Sequence, residues 1–239
     1  MNIENYYNID AQGQIVSFTR EQASSFAKGI AGDFNPIHDE DHRRFCVPGD
    51  LLFSVFLAHY GVSQRMKFEF SGMVVDSTQL IFPAQLSSHM SLSDANEKNY
   101  MDIEVSGDNS KEAEFISMLS EKYVQFSSKT FPHILVPLME QEKVMINPSR
   151  PLVIYKSMEI TLDKLSGKQI ELSLKEASLT NKGKKGEVRL EFAILSAGEE
   201  IGHGAKNLLL SGLREYDASQ LDDVIATYTQ RKSEFLAVA

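Results

Sequence analysis

The sequence predicts an α+β fold in which antiparallel strands wrap around one long buried helix. The helix is predicted from residues 51 to 61, which are apolar on all sides and must therefore be surrounded by protein. The strands are predicted from short runs of apolar and β-branched residues, separated by Gly, Pro, Asn and Ser, that follow the helix. With 239 residues and 42% hydrophobic content, the chain can form one large domain or two small ones.

The central apolar segment is predicted to be a helix, with a buried strand as the rival interpretation. Its length, the Gly49-Asp50 pair before it and Gly61 after it favour the helix. A helix that begins here directs its free N–H groups at whatever lies beside Gly49.

A shorter helix and a turn are predicted upstream. Thr19 and Gln22 fit a capping box, which satisfies free backbone N–H groups at a helix start. The apolar residues that recur at helical spacing after this cap, and so predict one buried face, are Ala23, Phe26, Ala27 and Ile30. Pro36 then keeps Asn35 out of the helical region and can itself open a short helical turn.

Besides residues 113–126, four strands are predicted on each side of a proline-rich join. They are residues 67–75, 78–82, 90–92 and 100–105, followed by residues 153–162, 169–179, 188–195 and 205–213. Residues 113–126 also suit a helix, and we interpret them as a strand. Four prolines between residues 127 and 151 mark the join between an N-terminal half, residues 1–127, and a C-terminal half, residues 128–239.

A terminal helix is predicted after Asp217, which can cap it together with Gln220. Its apolar stripe consists of Leu221, Val224, Ile225 and Tyr228. This stripe packs either on its own chain or against a second copy in a homodimer, and the pattern is compatible with both.

The composition argues against several classes of partner. A net charge of -9 opposes binding to nucleic acid or to an anionic membrane, because both need clustered Lys and Arg. No run approaches the roughly 18 apolar residues of a membrane span, and the N-terminus lacks the features of a signal peptide. The single cysteine, Cys46, forms neither an internal disulfide nor a thiolate zinc site. We therefore predict a cytoplasmic protein.

The turn before the central helix carries an acid and an imidazole, Asp33 and His38, five residues apart. An isolated Asp-x-Asn-x-x-His is usually a turn in which Asp and Asn bond their own backbone. An Asp and a His that converge on one water can also act as general base and acid. The spacing alone is compatible with both interpretations.

The stretch from residue 32 to 38, Gly-Asp-Phe-Asn-Pro-Ile-His, resembles the hydratase motif of the MaoC-like, (R)-specific enoyl-CoA hydratases. Residues 48–52 fall where that family has His-Gly-Met-Leu at the start of its central helix, and residues 80–84 resemble its following strand. The family has the hotdog fold, an antiparallel sheet around a central helix. The resemblance implies a double hotdog, with the motif in residues 1–127 and a motif-free second half, residues 128–239, that ends in the terminal helix.

The resemblance also implies an activity, that of a hydratase or dehydratase acting on an enoyl or 3-hydroxyacyl thioester of the acyl-CoA type. It assigns catalysis to Asp33 and His38, and it places Asn35 at the substrate as the residue that shapes their turn. The N–H group of Gly49 is implied to stabilise the enolate oxygen. This chemistry requires no metal and no redox cofactor, and the implied partner is a small acyl thioester, with neither nucleic acid nor membrane.

Two residues depart from the family pattern. Pro48 stands where the family has the histidine of its His-Gly pair, and Asp50 stands at a position that is commonly apolar. Asp50 either caps the helix or faces the cleft, where its carboxylate would oppose a developing oxyanion or contact a different ligand. We therefore include Asp50 in the predicted substrate site. The alternative function is a non-catalytic hotdog module that binds an acyl thioester or another small ligand.

Overall fold

The structure of the protein, a computed structural model, describes residues 1–238. Its α-helices are α1 (Arg20–Ser25), α2 (Gly49–Tyr60), α3 (Ala113–Ser128), α4 (Leu135–Gln141) and α5 (Ala218–Val238). A π-helix, Phe26–Ala31, continues α1, and a second one, Thr130–Ile134, precedes α4. Short 3-10 turns lie at Ile3–Tyr6 and Pro36–His38.

Antiparallel strands make up one large sheet and one small sheet. The strands are β1 (Asn8–Ile9), β2 (Ile15–Ser17), β3 (Val62–Phe70), β4 (Leu80–Ile81), β5 (His89–Ser93), β6 (Asn99–Ser110), β7 (Val144–Met145), β8 (Leu152–Leu162), β9 (Ile170–Lys182), β10 (Lys185–Ser196), β11 (Glu199–Ser211) and β12 (Arg214–Glu215). The large sheet has ten strands in the order β1-β2-β4-β5-β6-β3-β8-β11-β10-β9, and β12 pairs with β7 separately.

Apart from β1 and β2 at one edge, the strand order of the large sheet is mirrored about the β3–β8 pair. β3 and β8 are each the first long strand after a helical segment of the chain. Outward from β3 come β6, β5 and β4, and outward from β8 come β11, β10 and β9, so the last strand of each set lies next to the centre. A sheet of this kind wrapped around the buried α2 is a hotdog fold, and the predicted fold class is confirmed.

The core of the protein is built around α2, which is buried on almost every side. The Phe53 ring packs edge-on against Phe68 of β3 and Tyr123 of α3, with centroids 5.3 and 4.8 Å away. The Ser120 hydroxyl of α3 donates to the Ser54 hydroxyl of α2 across 2.8 Å, which satisfies two polar groups inside the apolar core. α2 is thus enclosed by the sheet and by α3.

Most of these elements had been predicted from local sequence patterns. Gly49–Tyr60 is the predicted helix, and Gly61 ends it with a φ of 79°, a conformation that favours glycine. The capping box of Thr19 and Gln22 is present at the start of α1. All four strands predicted after residue 150 are found as β8 to β11.

The interpretation of residues 113–126 as a strand was wrong, because this segment is α3. The residues that α3 buries are Phe115, Leu119, Ser120, Tyr123, Val124, Phe126 and Ser127. Positions 115, 119 and 123 are separated by four, which is the period of one helix face. The strand predicted at 67–75 was also displaced, since β3 begins directly after Gly61 and ends at Phe70.

The large sheet runs without a break across the two predicted halves, because β3 and β8 pair over five residue positions. The boundary predicted between residues 127 and 128 falls in the last turn of α3. The division into two halves stays a prediction. Among residues 1–238, no helix has the length and apolar composition that crossing a bilayer requires.

Replacement of Phe53 by Ala tests whether the packing around α2 determines stability. Phe53 is fully buried between two aromatic rings, so the substitution is expected to lower the free energy of unfolding by about 3–5 kcal/mol. Urea denaturation followed by circular dichroism measures the loss. Met73→Ala is the matched control, because the Met73 side chain is 50% exposed. Equal losses in the two variants would contradict the central role of α2.

Candidate active site

A cavity of about 460 Å³ lies at the start of α2. Its wall combines residues of the 33–38 turn, the first turn of α2, the end of α3, β8, β11 and α5. One part of the wall is polar, and its members include Asp33, His38, Asp50, Ser127 and Lys206. Another part is apolar, and its members include Phe131, Leu135, Ile146, Val153 and Leu208. The cavity therefore suits a ligand that combines polar and apolar groups.

The turn that carries Asp33 is set by the π-helix before it. The N–H groups of Gly32 and Asp33 both donate to the carbonyl oxygen of Ala27, the second across 2.7 Å. Gly32 adopts the left-handed conformation, with a φ of 74°, which turns the chain out of the helix. Such π turns often occur at functional sites. Asp33 is the first residue after this turn and lines the cavity.

Asn35 organises the backbone between the acid and the imidazole. Its N–H group donates to Asp33 Oδ1 across 2.9 Å, and its side-chain oxygen accepts from the Ile37 N–H group across 3.2 Å. Pro36 then opens the 3-10 turn that ends at His38. Asn35 also lines the cavity. The structure thus gives Asn35 the shaping role that was predicted, while its contact with substrate stays a prediction.

The imidazole of His38 has its two nitrogens in different environments. Nδ1 lies 2.7 Å from the carbonyl oxygen of Cys46, which can only accept, so Nδ1 carries the proton. In the neutral imidazole this leaves a lone pair on Nε2, which lies 3.7 Å from Asp33 Oδ2. Two acceptors cannot bond to each other directly, but at this separation each can accept one hydrogen bond from a shared water. The sequence-predicted pair is therefore brought together with its acceptor atoms facing each other.

The first turn of α2 lies beside this pair and lacks a side-chain cap. Gly49 packs closely against two rings, because a Cβ atom built on it would lie 3.0 Å from Tyr155 Cδ1 and 3.2 Å from Phe70 Cε1. These rings come from β3 and β8, the two central strands of the sheet. A glycine here lets the helix start lie against both strands, next to the cavity.

Asp50 does not cap α2 but bonds to α3. Its Oδ2 atom accepts from the Ser127 hydroxyl across 2.6 Å, and Ser127 in turn accepts from the Lys206 ammonium group. Burial raises the pKa of the Asp50 carboxyl, and the charge of Lys206 opposes this rise. Asp50 lines the cavity, which agrees with the second of the two predicted alternatives, a carboxylate that faces the cleft.

Lys206 and Ser127 were missed by sequence reasoning. Lys206 lies on the inner face of β11, opposite the fully buried Met158 and Leu190 of the neighbouring strands. Its ammonium group is 4.2 Å from the centre of the Tyr155 ring, and burial lowers its pKa against the opposing charges of Asp50 and Asp33. Lys206, Leu208 and Leu210 are two residues apart and so share one face of the strand. This spacing was the signal in the sequence for a lysine that faces the core. No local pattern pairs Ser127 with it.

The terminal helix α5 covers one side of the cavity. The Tyr228 hydroxyl accepts from the Phe34 N–H group across 3.3 Å, and Arg231 Nε donates to the Phe34 carbonyl oxygen across 3.3 Å. Arg231 also pairs with Asp39, and Phe235 packs edge-on against the Phe34 ring, with 5.6 Å between centroids. Part of the apolar stripe of α5 thus packs on its own chain, which was one of the two predicted alternatives.

A comparison with known protein families identifies the family of the chain. Residues 1–219 match the family described as "Protein of unknown function (DUF3581)". The chain belongs to this family. The match ends at the second residue of α5, so most of the helix that covers the cavity lies beyond it. No curated protein matches the sequence.

Solved structures with similar architecture include one titled MaoC-like dehydratase. It is 10% identical, and the similarity covers 85% of this chain and 97% of that chain with a TM-score of 0.42. The peroxisomal multifunctional enzyme type 2 of Drosophila melanogaster is 11% identical, over 81% of this chain and 47% of that one, with a TM-score of 0.43. The tesB protein of Mycobacterium avium subs paratuberculosis is 6% identical, over 71% and 89%, with a TM-score of 0.41.

The environment of Cys46, next to the site, predicts a thiol that reacts slowly. Burial raises its pKa to about 11, so at pH 8 the reactive thiolate is about two orders of magnitude scarcer than in an unfolded chain. Labelling with a thiol-specific disulfide reagent at pH 8 is expected to be at least tenfold slower in native buffer than in guanidinium chloride. Similar rates in the two solvents would contradict this burial.

Proposed function

We propose that the protein is a MaoC-like hydratase or dehydratase that adds water to, or removes it from, an acyl thioester of the acyl-CoA type. The observation that carries the proposal is the pair of facing acceptors, Asp33 Oδ2 and His38 Nε2, 3.7 Å apart at a cavity beside a helix start. General acid–base chemistry on one water needs this arrangement of groups.

The proposed reaction begins with a water that donates one hydrogen bond to Asp33 and one to His38. Its oxygen then keeps both lone pairs free and adds to Cβ of an enoyl thioester. The electron pair of the Cα=Cβ bond moves to Cα and the thioester carbonyl, which forms an enolate. The acid–imidazole pair takes one proton from the water and delivers a proton to Cα, so the net change is the addition of H₂O. Dehydration is the reverse.

The enolate oxygen needs preorganised hydrogen-bond donors. The first turn of α2 supplies N–H groups that have no side-chain cap, and the helix dipole places partial positive charge there. Gly49 lies at this point with two aromatic rings fixing the backbone. The apolar part of the cavity wall then suits the acyl chain, and its polar part suits the thioester.

One observation favours the alternative, a module that binds an acyl thioester without turnover. Asp50 lines the cavity beside Gly49, and an uncompensated carboxylate would oppose a developing oxyanion. The two functions share the ligand class and differ in turnover. A binding module is stabilised by the ligand against heat and leaves it unchanged.

Replacement of the pair separates the two functions. Asp33→Asn or His38→Ala is expected to lower the hydration rate of crotonyl-CoA by about 10²-fold or more, because an amide cannot take a proton from the water and Ala has no imidazole. Loss of absorbance from the conjugated thioester measures hydration, and circular dichroism checks the fold. Asp108→Asn and His89→Ala are matched controls, since both side chains lie exposed on the sheet.

Two outcomes would contradict the proposed enzyme. Wild type without turnover on a panel of enoyl thioesters, but stabilised by them against heat, would identify a binding module. Turnover that survives both substitutions at the level of the controls would place the chemistry elsewhere.

A further inference from the structure

Three polar side chains in the cavity wall form a hydrogen-bonded chain. It runs from Asp50 on α2, through Ser127 on α3, to Lys206 on β11. These residues are separated by 77 and 79 positions, so three different elements bring them together. The proposed acid–base reaction does not use this chain, and it requires an explanation because buried charged groups are costly.

Lys206 is buried in the cavity wall. Its exposed fraction is 5%, and its ammonium group has the Ser127 hydroxyl and the face of the Tyr155 ring as neighbours. A buried lysine without a nearby negative charge would lose its proton or destabilise the fold. Asp50 is the acid that raises the pKa of Lys206 most strongly, so Asp50 supports its positive charge.

Asp50 depends on Lys206 in the same way. Ser127 is its hydrogen-bond donor, and its Oδ1 atom is shielded from solvent without a hydrogen-bond partner in the part of the chain described. A carboxylate with one satisfied oxygen is poorly stabilised by hydrogen bonds alone. Among the neighbouring groups, Lys206 is the one that most strongly lowers the pKa of Asp50. Each charge of the pair therefore stabilises the other.

The position of Asp50 gives this pair a consequence for the reaction. Asp50 directly follows Gly49, where the proposed enolate oxygen is stabilised. Two negative charges a few ångströms apart repel strongly in a cavity of low dielectric constant. We propose that Lys206, acting through Ser127, compensates the charge of Asp50 and so permits an oxyanion to form at the start of α2. Lys206 and Ser127 are then positioning residues, and this inference rests on the proposed function.

Three variants separate charge compensation from a purely structural role. Lys206→Met removes the positive charge and is expected to lower kcat for crotonyl-CoA at least tenfold, because the carboxylate then faces the developing oxyanion alone. The Michaelis constant changes less, since the ground-state carbonyl carries little charge. Asp50→Asn removes the negative charge and is expected to leave a clearly higher kcat than Lys206→Met does, because no carboxylate then opposes the oxyanion. The double variant is expected to return kcat to within about threefold of wild type.

A structural role predicts a different pattern. If the chain only fastens α2 to β11, Asp50→Asn leaves a buried lysine without its partner and lowers kcat as much as Lys206→Met does. Equal losses in the two single variants, or a double variant no better than Lys206→Met, would overturn the inference. All assays are made at least 15 °C below the thermal midpoint of each variant. Lys175→Met and Asp108→Asn are matched controls, because both residues are exposed.

The pH dependence of the Lys206→Met variant provides a second readout. Without Lys206 the pKa of Asp50 rises further, so the loss of activity relative to wild type is expected to be largest at the high end of the pH range, where more Asp50 is ionised, and smaller at the low end. The other titratable groups around Asp50 are Asp33, His38, Tyr123 and Tyr155. All of them are retained in the variant, so its ratio to wild type at each pH isolates the pair.

Failure of this inference is distinguishable from failure of the proposed function. If wild type hydrates crotonyl-CoA and Lys206→Met does so equally well, the proposed function stands and the compensation is refuted. If wild type lacks turnover, the deciding quantity is the affinity for acetoacetyl-CoA, whose enolate form carries negative charge on its carbonyl oxygens, measured by calorimetry. Weaker binding by Lys206→Met that the added Asp50→Asn substitution restores supports compensation at the oxyanion, and unchanged binding overturns it.

Discussion

The enclosure of α2 is the constraint on which the rest of the structure depends. A helix that is apolar on nearly every side has no stable place at a surface, so sheet and helices must surround it. The sheet covers it with β3 and its neighbours, and α3 covers it with Tyr123. Enclosure has a polar consequence, because the free N–H groups at the start of α2 end up inside the protein and need a partner there. The cavity lies at that end.

The site combines local and long-range parts with different physical origins. The acid–imidazole pair is local, since a π turn, an Asn bridge and a 3-10 turn place both residues within six positions of sequence. The Asp50–Ser127–Lys206 chain is long-range and forms only when the sheet is complete. The proposed acid–base chemistry uses the first, and the proposed electrostatic balance uses the second. A substitution in β11 can therefore alter the electrostatics at the reaction centre without changing the turn that holds Asp33 and His38.

This difference explains what the sequence predicted. The central helix, the capping box, the Asp33–His38 turn and the strands after residue 150 follow from local period and turn chemistry. Residues 113–126 were misassigned because their apolar spacing suits both periods and burial on α2 decides between them. Lys206 and Ser127 were missed because they lie far apart in sequence, and only the packing of α3 against β11 brings them together. Likewise, α5 is held over the cavity by contacts with Phe34 and Asp39. These residues lie far from α5 in sequence, so the amphipathic pattern of the helix could not reveal them.

The contact between α5 and Phe34 has an optical consequence. The chain contains no tryptophan, so an indole placed at position 235 would be the sole strong ultraviolet fluorophore of the protein. Phe235 packs edge-on against Phe34, one residue from Asp33. An indole at this position would contact the Phe34 ring when the helix is docked and would contact water when it is not. Its emission wavelength would then report directly whether the helix rests on the turn. Emission from a single side chain would thus follow the covering of the cavity in solution.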